Sequence, residues 1–90
     1  MATFKLSDGK EYDIVDRGAT GNNPRATTYD VRQHDGNGHA IVAITFEWEE
    51  PAGLSLGTII LPGVRKEIIQ EARERVLRRA IGLARTRRPT

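Results

Sequence analysis

Residues 62–90, PGVRKEIIQEARERVLRRAIGLARTRRPT, form the one long helical pattern in a chain whose remaining residues alternate as strands or cluster as turns. From Val64 onward, apolar residues fall at Ile68, Ile69, Ala72, Val76, Leu77, Ala80, Ile81, Leu83 and Ala84, the three-and-four spacing of an amphipathic helix. About 23 residues at 1.5 Å each span roughly 35 Å, whereas strands of five or six residues span under about 20 Å. Such a helix therefore needs a sheet containing at least one long hairpin beneath it. The sequence predicts an α+β fold: an antiparallel sheet of four to five strands, in the order β-β-β-β-(β)-α, with one long C-terminal helix packed on one face.

The strand half supports this expectation. Residues 3–6 and 11–15 alternate around Ser7-Asp8-Gly9. A two-residue turn would put Phe4 and Leu6 on the face opposite Tyr12 and Ile14. A three-residue loop closed by Gly9 in the left-handed region instead pairs Phe4 with Tyr12 and gathers all four on one face. Residues 16–25, DRGATGNNPR, hold Gly, Asn and Pro without a hydrophobic period and are expected to be a loop. They are not followed by a helix, so a phosphate cradle is not expected there.

A second hairpin runs from residues 26–34 through Asp35-Gly36-Asn37-Gly38 into a long strand at residues 39–49. With His34 opposite His39, Val31 meets Val42, Tyr29 meets Ile44 and Thr27 meets Phe46. A turn tightened on Asn37-Gly38 shifts these pairs by two and keeps their parity. Both registers put Tyr29, Val31, Ala40, Val42, Ile44, Phe46 and Trp48 on one buried face. Both leave Thr28, Asp30, Arg32, His34, Ile41, Ala43, Thr45, Glu47 and Glu49 toward solvent. Residues 58–61 are expected to be a short buried fifth strand, with Pro62 preset for the first helical turn; a helix start as early as Thr58 is the alternative.

Ninety residues make a single domain, residues 1–61 supplying the strands and 62–90 the helix and a basic tail. The chain has no cysteine, which removes thiolate chemistry and disulfides. With no apolar leader and no membrane span, the expectation is a cytoplasmic protein that does not engage a membrane. Net charge is +2, but residues 1–61 carry five cations against nine acids, while residues 62–90 carry nine against three. Such asymmetry is a hint of a polyanionic partner, tempered because eleven of the fourteen cations are Arg, a bias that base composition alone can produce.

The chemistry-bearing residues are few. His34 and His39 flank a turn with Asp35 and Asn37 and are the metal-ligand candidates, although two imidazoles on a hairpin tip fall short of the usual four-ligand structural site. The expectation is that they are solvated turn side chains, with no metal and no cofactor. No Ser, His and acid converge into a nucleophilic constellation, so no enzymatic activity is expected. Glu71 with Arg75 and Glu74 with Arg78 are expected to pair at i,i+4. Toward the end of the helix the apolar stripe widens through Leu77 and Ile81. This asks for a second partner, and another copy of the chain, as a homodimer, is the simplest one. Trp48 would join that contact if exposed at its strand end. The expected function is thus a small non-enzymatic interaction module of unknown protein partner, self-associating through the C-terminal helix. The alternative is nucleic-acid binding through Arg78, Arg79, Arg85, Arg87 and Arg88, a group with no acid among it.

Overall fold

The computed structural model describes residues 2–20 and 23–87, with the side chains of residues 20, 23 and 83–87 left aside. Its elements are β1 (Phe4–Lys5), β2 (Glu11–Thr20), β3 (Asn23–His34), β4 (Ala40–Glu49), β5 (Gly53–Ile59) and α1 (Lys66–Arg87). The strands form one five-stranded antiparallel sheet in chain order, β1-β2-β3-β4-β5, followed by the helix. No helix among the described residues is long and apolar enough to cross a membrane.

The first hairpin has the expected register. Phe4 lies opposite Tyr12, the Gly9 amide donates to the Leu6 carbonyl at 2.9 Å, and Gly9 takes a φ of 78°. A residue with a Cβ would be strained there, which explains why the turn ends on glycine.

Of the stretch expected to be a loop, residues 16–20 continue β2 and residues 23–25 belong to β3, while residues 21 and 22 lie outside the described residues. Asp16 pairs with Tyr29 and Ala19 with Thr27, across register shifts on either side of Ala19. The Gly18 amide donates to the Asp16 carboxylate at 2.8 Å, which satisfies the displaced backbone. Arg17, Gly18, Ala19, Pro24 and Arg25 are exposed. With little to bury there, the ribbon carries no alternation, and its strand character rests on backbone pairing that hydrophobic period does not reveal.

The second hairpin uses the shifted register for half its length and then departs from both expected ones. Thr27, Tyr29 and Val31 meet Trp48, Phe46 and Ile44, but Arg32 meets Val42 and His34 meets Ala40, so Ala43 is an extra residue on β4. Such a bulge reverses the parity of what lies beyond it. Val42 and Ala40 join the face of Arg32 and His34, and Ala43, expected toward solvent, is fully buried with Ile44. The Ala43 carbonyl, turned away from β3, accepts the amides of Ile60 and Leu61 at 2.8 and 3.0 Å. The chain is thereby anchored just before the helix.

The fifth strand lies earlier in the chain than expected, and its outer part is exposed rather than buried: Ile59 and Ile60 are 45% and 52% accessible. As the last strand of the sheet it has one neighbour only. The Glu50–Pro51 peptide that leads into it is cis. Between the Ile44–Ile59 and Phe46–Leu56 pairs, β5 carries one residue more than β4. The Thr45 hydroxyl fills this irregularity and accepts the Thr58 amide at 2.8 Å.

Helix α1 starts at Lys66; Pro62, expected in the first helical turn, stands in a turn with Gly63, whose φ of 83° is not helical, and the Arg65 carbonyl accepts the amides of Ile68 and Ile69. Its residues Ile68, Ala72, Val76 and Ala80 recur every four positions, are all buried, and share one core with Leu6, Tyr12, Tyr29, Val31, Ala43, Ile44 and Phe46. Alanine at two of the four positions lets the helix backbone come close to the ring-bearing sheet face. We predict that Gly57→Ala destabilises the fold by about 1–3 kcal/mol in urea unfolding, because an added Cβ would lie 2.5 Å from the Thr45 hydroxyl and 3.0 Å from its carbonyl oxygen. Unchanged stability would refute the close approach of β4 and β5 at this point.

Candidate functional site

The sheet face that carries Arg32 and Val42 holds a polar cluster built from strand register. Asp13 on β2 lies directly opposite Arg32 on β3, and His34, two residues on, reaches the same carboxylate diagonally. Arg32 Nε and Nη2 donate to the two Asp13 oxygens at 2.8 and 2.5 Å, a bidentate fork. His34 Nε2 stands 3.0 Å from Asp13 Oδ2 but off the direction of a hydrogen bond. Two positions along the strands, Asp30 takes Arg17 Nη1 at 3.2 Å, while its Oδ1 has no hydrogen-bond partner among the described residues. Asp13 and Asp30 are 1% and 4% accessible, so this face is no simple solvated one. Arg32 and His34 are themselves only 28% and 25% accessible and lie over Asp13. Bidentate pairing with Arg32 holds the Asp13 carboxyl below the usual carboxylate range against the opposing push of burial, and His34 adds to the lowering.

The two histidines do not meet. His34 pairs with Ala40 and faces Asp13, while His39 Nδ1 sits 3.4 Å from Asp35 in the exposed turn. The Asp35 carboxylate takes the Asn37 and His39 amides, which lower its pKa, the Asn37 bond being the larger cause. Among the described residues no three His, Asp or Glu side chains gather as metal ligands. Both serine hydroxyls have acceptors: Ser7 donates to the Glu71 carboxylate and Ser55 to the Glu47 carbonyl.

Charges on the helix are arranged differently from the i,i+4 expectation. Glu71 reaches across to the first hairpin, where its carboxylate accepts the Ser7 amide at 2.8 Å and the Ser7 hydroxyl. Arg75, its expected partner, lies over the Phe4 ring at 4.8 Å from the centroid. Tertiary partners on the first hairpin displaced the local ones. No ion pair forms between Glu74 and Arg78 among the described residues, and Arg78 and Arg79 are exposed. The side chains of Arg85, Arg87 and Arg88 lie outside the described residues.

At 100° per residue, Ile69, Leu77 and Ile81 occupy the helix flank opposite Glu71, Arg75 and Arg79. Since Glu71 and Arg75 meet β1, the other flank faces the β5 side of the sheet. Leu77 and Ile81 are half-buried there, and Trp48, also half-buried, packs against the core. On β5, Leu56 and Ile59 pair with the buried Phe46 and Ile44 and therefore point to the helix side of the sheet, yet they remain 47% and 45% exposed. Nothing in the 53–61 stretch carries a charge, and only this absence, together with its run of branched residues, signalled an open edge in the sequence.

Comparison with protein-family models, with curated proteins and with solved structures finds no match.

Asp13→Asn is expected to lower stability by about 2–3 kcal/mol at neutral pH, since it removes the acceptor of a bidentate pair on a buried site. Because the native pKa is lowered, the stabilisation is present above the ordinary carboxylate pKa of about 4 and is lost as pH falls below it. Urea midpoints of wild type and variant should therefore converge below about pH 4. A gap that stays constant from neutral to acid pH would contradict the pairing.

Proposed function

We propose that the chain is a small non-enzymatic interaction module that associates with a second copy of itself along β5, the contact continuing onto the Leu77 and Ile81 flank of the helix. The observation that carries this reading is the contrast between the two edges of the sheet. β1 is two residues long, includes Lys5, and has Arg75 stacked over its Phe4. β5 is seven residues long, uncharged, and exposes Leu56 and Ile59 on its helix side. Sheet edges left open in soluble proteins are ordinarily blunted by charge, proline, shortness or a cover. β5 carries only the irregularity near Gly57, which leaves residues 53–56 as a regular pairing segment.

A second copy suits this edge because antiparallel self-pairing over residues 53–56 sets no like charges opposite one another. Centred on Ser55, the two-fold pairing would also set Leu56 beside Leu54 of the second copy and bring the apolar helix flanks toward the same seam.

Nucleic-acid binding is the second reading, supported by Arg78 and Arg79, both exposed and without an ion pair among the described residues.

Sedimentation equilibrium at several concentrations tests the first reading. Wild type should populate a dimer at micromolar concentration, and Leu56→Lys should stay monomeric with its melting temperature little changed, since Leu56 is about half exposed. A wild type that remains monomeric up to high micromolar overturns the proposal, as does a dimer that Leu56→Lys leaves intact.

A further inference from the structure

Between β1, β2 and the helix lies a cavity of about 330 Å³, lined by Thr3, Phe4, Ile14, Arg75, Arg78 and Arg79 together with Ala2. Its size falls at the lower end of small-molecule sites. The composition of its wall is unusual for a patch of solvated helix. Three guanidiniums border it and no carboxylate does. Arg75 is spaced i,i+3 from Arg78 and i,i+4 from Arg79, so the three like charges face one another across successive turns, an arrangement that repels. Local compensation fails for stated reasons: Glu71 is taken by Ser7, and Glu74, which lines a neighbouring cavity of about 230 Å³ with Lys5, Arg75 and Arg78, makes no ion pair among the described residues.

The floor is apolar. Phe4 and Ile14 are half-buried and packed against the core, and Phe4 is stacked on Tyr12 with ring centroids 6.4 Å apart. Arg75 is held over the Phe4 ring, 4.8 Å from its centroid, which preorganises its guanidinium at the cavity wall. An inorganic anion would satisfy the arginines and leave the floor wet; a neutral apolar molecule would fill the floor and leave three cations uncompensated. We propose that this cavity binds an organic anion, a carboxylate or phosphate attached to a planar or aliphatic body, with the anionic group on Arg78 and Arg79 and the body against Phe4 and Ile14. The site is separate from β5 and does not depend on self-association. Guanidinium forks match carboxylate and phosphate oxygens in two-point contact, so the anion is oriented as well as attracted.

Phenyl phosphate, inorganic phosphate and phenol serve as probes, titrated into the intact protein and followed by NMR at the Phe4 ring and the Ile14 methyl groups. Phenyl phosphate should shift both at millimolar concentration or below. Inorganic phosphate and phenol should each bind at least about tenfold more weakly, and the Arg78→Gln, Arg79→Gln double variant should lose at least about tenfold of the phenyl phosphate affinity. Both arginines are exposed, so the variant is expected to keep the wild-type fold, which its unperturbed core resonances would verify. A free metabolite and the phosphates of a single nucleic-acid strand share this chemistry. A thymidine hexanucleotide that shifts the same two residues more tightly than phenyl phosphate assigns the source to nucleic acid, and a weaker one assigns it to a small molecule. Failure of phenyl phosphate to shift Phe4 and Ile14, or equal binding by wild type and double variant, overturns the proposal.

Discussion

A helix about 10 Å across lies on a five-stranded sheet roughly 20 Å wide, and the organisation of the molecule follows from that mismatch. One ridge of α1, Ile68, Ala72, Val76 and Ala80, is buried outright. The two flanking ridges then meet unlike surroundings. On the β1 side, Glu71 and Arg75 find Ser7 and Phe4, and the short edge strand is clasped by polar and cation–π contacts. On the β5 side the helix does not reach far enough to cover Leu56 and Ile59, which stay half-exposed although their partners Phe46 and Ile44 are wholly buried. A single helix cannot cover both margins, and the apolar margin is the one left open.

The other sheet face solves a different problem. It is uncovered by any helix yet buries two carboxylates, Asp13 and Asp30, beneath Arg32, His34 and Arg17. Buried carboxylates need fixed partners. Cross-strand register supplies the partner of Asp13, since Asp13 and Arg32 are direct neighbours that a one-residue slip would separate, whereas Asp30 is held by Arg17 through one oxygen only. The cluster thus fixes the β2–β3 register from the side that hydrophobic packing does not reach.

Much of the architecture was legible in the residues. The parity argument on Phe4, Leu6, Tyr12 and Ile14 gave the first hairpin its register, and the apolar period from Val64 gave the helix, whose start lies at Lys66 and not at Pro62. Three features escaped. The β2–β3 ribbon beyond Asp16 has few side chains to bury and hence no period. The bulge at Ala43 changes parity through a backbone event that no residue type marks, which is why Ala43 was expected in solvent and Val42 and Ala40 in the core. Burial of Thr58 to Leu61 was inferred from their apolar character, but burial depends on what covers a strand, and β5 lies at the margin. The cavity beside Phe4 was equally hidden, because Glu71 and Arg75 have local partners in sequence and exchange them for tertiary ones in the fold.

We propose the open β5 margin as a contact surface for a second copy. Amide hydrogen exchange of the β5 residues, followed at low and high protein concentration, tests it most directly, since outward-pointing amides of an edge strand are protected only when another strand pairs with them. Protection in residues 53–56 that rises with concentration, while β1 amides are unaffected, is the predicted result. Exchange in β5 that is fast and independent of concentration would contradict it.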